Sequence, residues 1–337
     1  MKKSILLLFI LLIPLLALAQ TAEDYYNMGV EKLAEGNYRG ALQDFNKAIE
    51  LNPNYTDAYF SRGATKDVLG NYRGAIQDYN KAIKLAPNLA IPYINRGVAK
   101  RHLGDYRGAI QDLDKAIKLD PNYAMAYNNR GLSKEHLGDY KGAIQDYNNA
   151  IKLHPNDAKS YVNRGNAKDL LGNYRGAIQD YNYSIELDPS VAKAYYNRGI
   201  AKGLLGDYRG EIQDYNYSIE LDPNDAKPYN NRGIAKGLLG DYRGAIQDYN
   251  KALELDPNDA KAYRNRGAYK GKLGDYSGAM QDYNKALELD PNNATAYIGR
   301  GLSKLQLGQK YSGCLDLYKA GELRYTDAYD LIKQYCQ

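Results

Sequence analysis

Four kinds of side chain in this sequence stand at spacings that could do chemistry. His102 and His136 are one 34-residue step apart with Glu135 beside the second, imidazole and carboxylate groups of the kind that hold a divalent cation; a third close ligand is missing, so no metal is expected. Cys314 and Cys336 are the only cysteines, able to form a disulfide if the chain brings them level. Asn occupies one recurring slot at Asn27, Asn95, Asn129, Asn163, Asn197, Asn231 and Asn265, broken by Ser61 and Gly299. Its amide offers a donor and an acceptor, the complement of an extended peptide backbone of any sequence. Lys159, Lys193, Lys227 and Lys261 make a row of positive charge suited to acidic groups on a partner, or simply a solvated face. No nucleophile–base arrangement, Gly-rich phosphate loop, CxxC or HExxH motif accompanies them, so neither enzymatic activity nor a cofactor is expected.

The histidine, asparagine and lysine spacings share one period. Gly-Ala-Ile-Gln-Asp begins at Gly74, Gly108, Gly142, Gly176 and Gly244, always offset by 34 residues or a multiple of it. Such a unit is a helix pair that cannot bury its apolar face alone, so stacked neighbours must share a core. In the unit 56–89, residues Ala58 to Leu69 form a first helix, A, and Gly70 supplies the turn. Asn71 caps a second helix, B, and Pro87 ends it. Tyr59 on A and Ala75, Ile76, Tyr79, Ala82 and Ile83 on B recur at helical spacing and mark the core stripe.

Tyr59, Arg62, Gly63, Lys66, Ala75, Tyr79, Ala82 and Pro87 fall at the signature spacings of the tetratricopeptide repeat, and the chain resembles that family over nearly its whole length. The resemblance implies an all-α, right-handed α-solenoid superhelix of about nine helix-turn-helix units: 22–55, 56–89, 90–123, 124–157, 158–191, 192–225, 226–259, 260–293 and 294–327. A capping helix follows at 328–337. Two slots depart from the family pattern, with Arg at 62 and its equivalents where Leu is usual and Lys at 66 and its equivalents where an aromatic is usual. The first unit has Asp44 on helix B but Met28 in the Arg slot. That asymmetry predicts that each helix-B Asp pairs with the Arg of the following unit, Asp44 with Arg62 and Asp282 with Arg300, in a structural ladder. The Lys stems should lie along the Tyr rings with their ammonium groups pointing outward.

The ninth unit breaks the pattern at Lys310, Gly313, Gly321 and Tyr325, and Thr326 to Tyr335 then read as a final amphipathic helix with Tyr329, Ile332 and Tyr335 facing back. If that helix runs antiparallel to the preceding one about a turn near Arg324 and Tyr325, Cys314 and Cys336 come level and form a disulfide. At the other end, Lys2 and Lys3, an apolar run from Ile5 to Leu16 and Ala17-Leu18-Ala19 make residues 1–19 a secretory signal peptide, leaving no transmembrane segment once cleaved. The expected location is secreted, in a periplasm or outside the cell. Losing Lys2 and Lys3 takes the formal charge from +5 to +3. Because Lys and Arg alternate with Asp and Glu in every unit, nucleic acid is not an expected partner.

Comparison of the units isolates a variable set on helix A: Glu23, Tyr26, Val30, Leu33 and Ala34 in the first, Lys159, Val162, Asn166, Asp169 and Leu170 in the fifth. In the family that face lines a concave groove that contacts ligand, and superhelical members that bind long peptides place Asn similarly. The resemblance thus implies a binding site made of the Asn row from Asn95 to Asn265, the four Lys, Tyr26, Phe60 and Tyr196. The partners would be extended or helical peptide segments of other proteins, in assembly of the envelope. The residues themselves equally allow the Asn row to bond to neighbouring helices and hold the stack. The family's clamp for a C-terminal carboxylate is not supported, since Val162 stands where its Lys is required beside Asn166. Gly203, Gly237 and Gly271 are expected to open space late in the groove. A second reading takes Arg39, Arg73, Arg107, Lys141, Arg175, Arg209 and Arg243, with the Lys row, as basic strips for an anionic polymer or lipid surface. Glu211, a charge in a slot that is otherwise Ala, has no account at this level beyond pairing with a nearby Lys.

Overall fold

The turn inside each repeat is set by a residue without a side chain. Gly70 has a φ of 75°, in the left-handed region open to glycine, and beside it the Asn71 side chain accepts a hydrogen bond of 3.0 Å from the Gly74 backbone N–H. That bond satisfies one of the free donors at the start of the next helix. Asp105, Asn173, Asp207, Asp241 and Asp275 cap their helices in the same way.

The computed structural model describes residues 21–336. The expected signal peptide at 1–19 lies outside them. The chain divides into two compact units, one up to Asp139 and one from Tyr140 onward. The first contains α1 (Ala22–Ala34), α2 (Tyr38–Leu51), α3 (Thr56–Val68), α4 (Tyr72–Leu85), α5 (Ala90–His102), α6 (Tyr106–Leu119) and α7 (Ala124–His136). The second begins with α8 (Tyr140–Leu153), α9 (Ala158–Leu170), α10 (Tyr174–Leu187), α11 (Ala192–Leu204), α12 (Tyr208–Leu221) and α13 (Ala226–Leu238). It continues through α14 (Tyr242–Leu255), α15 (Ala260–Lys272), α16 (Tyr276–Leu289), α17 (Ala294–Gln306), α18 (Lys310–Glu322) and α19 (Asp327–Tyr335). No strand is present among the described residues. Odd-numbered helices up to α17 are the A helices and even-numbered ones the B helices.

Within each unit every helix packs on the next in sequence, and A helices also meet one another: α1 with α3, α3 with α5, α5 with α7, and α9 with α11, α13 with α15, α15 with α17. The buried interior is narrow and aromatic. Tyr79, Tyr147, Tyr181, Tyr215 and Tyr249 on the B helices are fully buried, flanked by buried Ala such as Ala75 and Ala82. A Cβ built at Gly63 would stand 2.9 Å from the Tyr79 ring, so helix A rests directly on the aromatic face because that position carries no side chain.

The Arg–Asp pairing runs within a repeat, not between repeats. Arg62 forks onto Asp78 of its own unit at 2.9 and 2.6 Å, and Arg96 takes Asp112, not Asp78. Arg300 takes Asp316 and leaves Asp282 to Arg266. The expectation of a following-unit ladder is therefore wrong. Its one clue has another cause: Asp44, lacking an Arg in its own repeat, is neutralised by Lys32 at 2.6 Å. The Lys slot behaves likewise elsewhere, with Lys66 at 2.7 Å from Asp78 and Lys168 at 2.8 Å from Asp180. These ammonium groups turn inward to the carboxylate instead of outward, because one carboxylate accepting from Arg and Lys offsets its desolvation better than one pair would. What links successive repeats is the remaining Arg arm, which donates to Asn46, Asn80, Asn148, Asn182, Asn216, Asn250 or Asn284 of the preceding unit at 2.6–2.8 Å and, from Arg130, to Asp114 at 2.6 Å. Each of these guanidiniums also lies over a Tyr ring of its own helix, as Arg164 does over Tyr161 at 5.4 Å.

At the C-terminus α19 packs on α18, and Cys314 and Cys336 are joined in a disulfide with their Cα atoms 5.7 Å apart. The inward face of α19 differs from expectation in one residue. Ala328 is fully buried while Tyr329 is 61% exposed and reaches back only through its hydroxyl, which donates to the Gly321 carbonyl at 3.4 Å. Small Ala328 permits the close approach, and Ile332 and Tyr335 are partly covered.

Candidate functional site

The variable residues of helix A lie where consecutive A helices meet. Between α11 and α13 is a pocket of about 340 Å³, walled by Ile200, Gly203 and Leu204 on one side and Asn231, Ile234 and Leu238 on the other. Tyr208, Glu211 and Tyr215 of the intervening α12 form its floor. In the first unit Phe60 lines a comparable pocket of about 380 Å³ with Leu89, Ile91, Pro92, Leu119 and Tyr123. Both pockets have largely apolar walls, and the one between α11 and α13 has a floor that carries two Tyr and a Glu.

The predicted Asn residues from Asn95 to Asn265 are half-buried, Asn231 on the wall of the pocket between α11 and α13, and much of their hydrogen-bonding capacity is used within the protein. Asn197 donates to Asn166 Oδ1 at 2.7 Å, the same atom that accepts from the Tyr181 hydroxyl at 2.9 Å. Asn231 donates to the Tyr196 hydroxyl at 3.2 Å. Asn265 accepts the fork of Arg264, and Asn129 donates to the Met125 carbonyl at 2.9 Å. Asn95 lies against the Tyr79 hydroxyl, and Asn163 is also engaged. Burial holds the Tyr79, Tyr215 and Tyr249 hydroxyls well above the ordinary tyrosine pKa, with the Asn beside each opposing the shift. Sequence reasoning found the row but not these tyrosine partners. The signal was that Asn95, Asn163, Asn197, Asn231 and Asn265 each follow a helix-B Tyr of the preceding repeat by sixteen residues, whereas Asn129 follows Leu113.

The other predicted residues separate into two groups. Tyr26 packs on Phe45 and Tyr55 with ring centroids 5.8 and 5.1 Å apart, Phe60 on Tyr79 at 6.0 Å and Tyr196 on Tyr215 at 5.8 Å. These aromatics are as much wall as contact surface. Lys159, Lys193, Lys227 and Lys261 are exposed at the N-terminal ends of α9, α11, α13 and α15, and Arg39, Arg73 and Arg107 are exposed on the B helices. His102 stacks on Tyr72 at 4.7 Å and His136 on Tyr106 at 4.5 Å. Among the described residues no three His, Cys, Asp or Glu side chains gather as a metal site.

The late glycines open less space than their sequence suggests. A Cβ at Gly203 would collide with the Glu211 carboxylate and one at Gly237 with the Tyr269 ring; only Gly271 faces room, with Ala279 Cβ 3.9 Å away. Glu211 is the residue that reasoning from sequence left unexplained. It is 9% exposed and its Oε1 accepts from the Tyr215 hydroxyl at 2.9 Å, with no Lys partner among its contacts. Burial lifts its carboxyl above the ordinary glutamate value; the Tyr215 bond opposes this and Asp207 adds to it.

A raised carboxyl pKa means the folded chain holds the proton to a higher pH than the unfolded chain. Folding bears no charge penalty below the ordinary glutamate pKa, and stability falls as pH rises from there through the raised value. Glu211→Gln, which keeps the shape without the charge, is therefore expected to melt above wild type at about pH 7.5, with the gap closing near about pH 4. Melting curves at the two pH values check this; a wild type that is the more stable at neutral pH would contradict it.

Models of the tetratricopeptide repeat match the chain at 22–55, 56–89, 124–157, 158–191 and 226–259, with further repeat models of that description at 99–135, 271–308, 192–225 and 248–281. An uncharacterized protein of Methanocaldococcus jannaschii is 60% identical over 37 residues, which are 11% of this chain and 43% of that protein. The chain thus spans less than half the length of that curated relative. Among solved structures, the APC/C hetero-tetramer Cut9–Hcn1 is similar with a TM-score of 0.58 at 19% identity, over 86% of this chain and 57% of that one. A tetratricopeptide repeat protein from Parabacteroides merdae is similar with a TM-score of 0.53 at 23% identity, over 74% of this chain and 99% of that one. At these identities the likeness is one of fold.

Proposed function

The chain belongs to the tetratricopeptide repeat family, and on that premise we propose that it is a non-catalytic interaction scaffold holding an extended peptide segment of a partner protein across its A helices. The carrying observation is the gap between α11 and α13, open, apolar-walled and floored by polar groups of α12. Asn231 stands on the wall of that gap with its side-chain oxygen as an acceptor beside it, its amide nitrogen being given to Tyr196. A peptide lying across several gaps would gain backbone hydrogen bonds from the Asn and side-chain contacts from the pockets.

We place this activity outside the cytoplasm, in a periplasm or beyond the cell, in the assembly of envelope proteins. The leader-like residues 1–19 support this, as does the disulfide Cys314–Cys336, a bond that persists in oxidising compartments. No helix among the described residues is long and apolar enough to cross a membrane.

The test is binding of an extended-peptide library to the purified chain at low and at about 1 M salt, where screening falls to about 3 Å. Binding is expected to persist at high salt and to weaken about tenfold or more in a folded triple variant Asn163→Ala, Asn197→Ala, Asn231→Ala, since each lost bond counts for about 0.5–1.5 kcal/mol. Binding that vanishes with salt and survives the triple substitution would favour the other reading, an anionic surface met by the exposed row Lys159, Lys193, Lys227 and Lys261.

A further inference from the structure

One buried acid in the repeats has no cation. Asp78, Asp112, Asp180, Asp214, Asp248, Asp282 and Asp316 each bind an Arg and a Lys of their own repeat. Glu211 is also buried, at 9% exposure, yet its only hydrogen bond is with the neutral Tyr215 hydroxyl and its nearest charged influence is another acid, Asp207. The slot that holds Glu211 is Ala in the other complete repeats except the ninth, where it is Gly313. The facing position, Gly203, has no side chain, so the carboxylate lies against the backbone of α11. The Glu is peculiar to this repeat, whereas the glycine recurs at Gly237 and Gly271, and the two meet at one place, the floor of the pocket between α11 and α13.

We propose that this pocket is a specificity site for a basic side chain, lysine or arginine, of the bound polypeptide. The walls supplied by Ile200, Leu204, Ile234 and Leu238 suit the aliphatic stem of such a residue. Glu211 at the floor meets its charge and gains the cation it lacks within the chain. A neutral or acidic side chain in the same place leaves the carboxylate buried and unpaired, so the pocket selects by rejection as well as attraction. The next gap has a related character: Asp169 on α9 is partly buried, its carboxyl held above the ordinary aspartate range by burial. With the exposed Lys row at the N-terminal ends of the same helices, this stretch is basic at one margin and acidic at Glu211 and Asp169.

The inference rests on the groove reading, and the experiment separates the two. Nonapeptide pools, randomised except for a fixed central Lys, Arg, norleucine or Glu, are passed over the full chain and over Glu211→Gln. Wild type should retain the Lys and Arg pools about tenfold or more over the norleucine pool, and Glu211→Gln should retain all three alike. The wild-type comparison needs no variant, so it stands even if the substitution disturbs folding. Peptides bound with no preference for a basic centre overturn this inference and leave the groove reading intact. Failure of every pool to bind overturns both.

Discussion

Asp180→Ala is expected to cost about 3 kcal/mol of stability, the lower end of the range for removing one partner of a buried ion pair. Asp180 is 2% exposed and accepts two bonds from Arg164 and one contact from Lys168. Its removal strands both cations, though each keeps about a fifth of its side chain in water, which moderates the penalty. Arg164 is also the residue that bonds Asn148 of the preceding repeat at 2.7 Å. A guanidinium released from Asp180 loses the fork that aims that arm, so the junction should weaken with the repeat. In an array where neighbours carry the cooperativity, the melt of the variant should broaden or split. Asn148→Ala, which removes only the inter-repeat bond, should cost about 1 kcal/mol. Denaturant melts of the variants decide the matter; a loss under about 1 kcal/mol for Asp180→Ala would show that the cluster contributes little.

Cys336→Ser is expected to release α19 without unfolding the rest. The disulfide closes a separation of 22 residues, for which the chain-entropy estimate is about 3 kcal/mol. The covered surface is small, with Ala328 the only fully buried residue of α19. Backbone amides of 327–336 should therefore exchange with solvent about a hundredfold faster in the variant, while those of α9 to α16 stay protected. Reduction of the wild type should reproduce the effect. Unchanged protection at the C-terminus would mean that packing on α18 suffices.

The fold was legible because a 34-residue period leaves few alternatives, and the turn glycines, the Asn and Asp caps and the core Tyr and Ala stripe stand where the pattern places them. The disulfide was legible for a related reason: an antiparallel pair about a known turn converts sequence distance into height. The Arg–Asp pairing was not, and the cause is translational symmetry. When every repeat carries Arg and Asp in fixed slots, each Arg has one Asp sixteen residues ahead and another a similar distance behind, and the sequence reads the same for either choice. Only the chain end breaks that symmetry, and there Lys32 stood in for the missing Arg. The tyrosine partners of the Asn row were hidden for another reason, since a side chain with both donor and acceptor suits a tyrosine as well as a peptide. Glu211 was visible as an anomaly, but its meaning required knowing that Gly203 faces it.

The recurring Arg bond between repeats, to an Asn at every junction named above but that of Arg130, which takes Asp114, has a consequence for how such a chain changes length. Within the second unit each junction, from Arg164–Asn148 to Arg300–Asn284, closes with the same two groups at 2.7–2.8 Å. A whole cassette removed or duplicated leaves both new neighbours chemically complete. The fold would accept such a change because within the second unit no junction is private to its pair. The ends alone are not interchangeable: Met28 replaces the Arg at one and the disulfide seals the other. The number of repeats can thus be reset in steps of one cassette while the terminal fittings stay as they are.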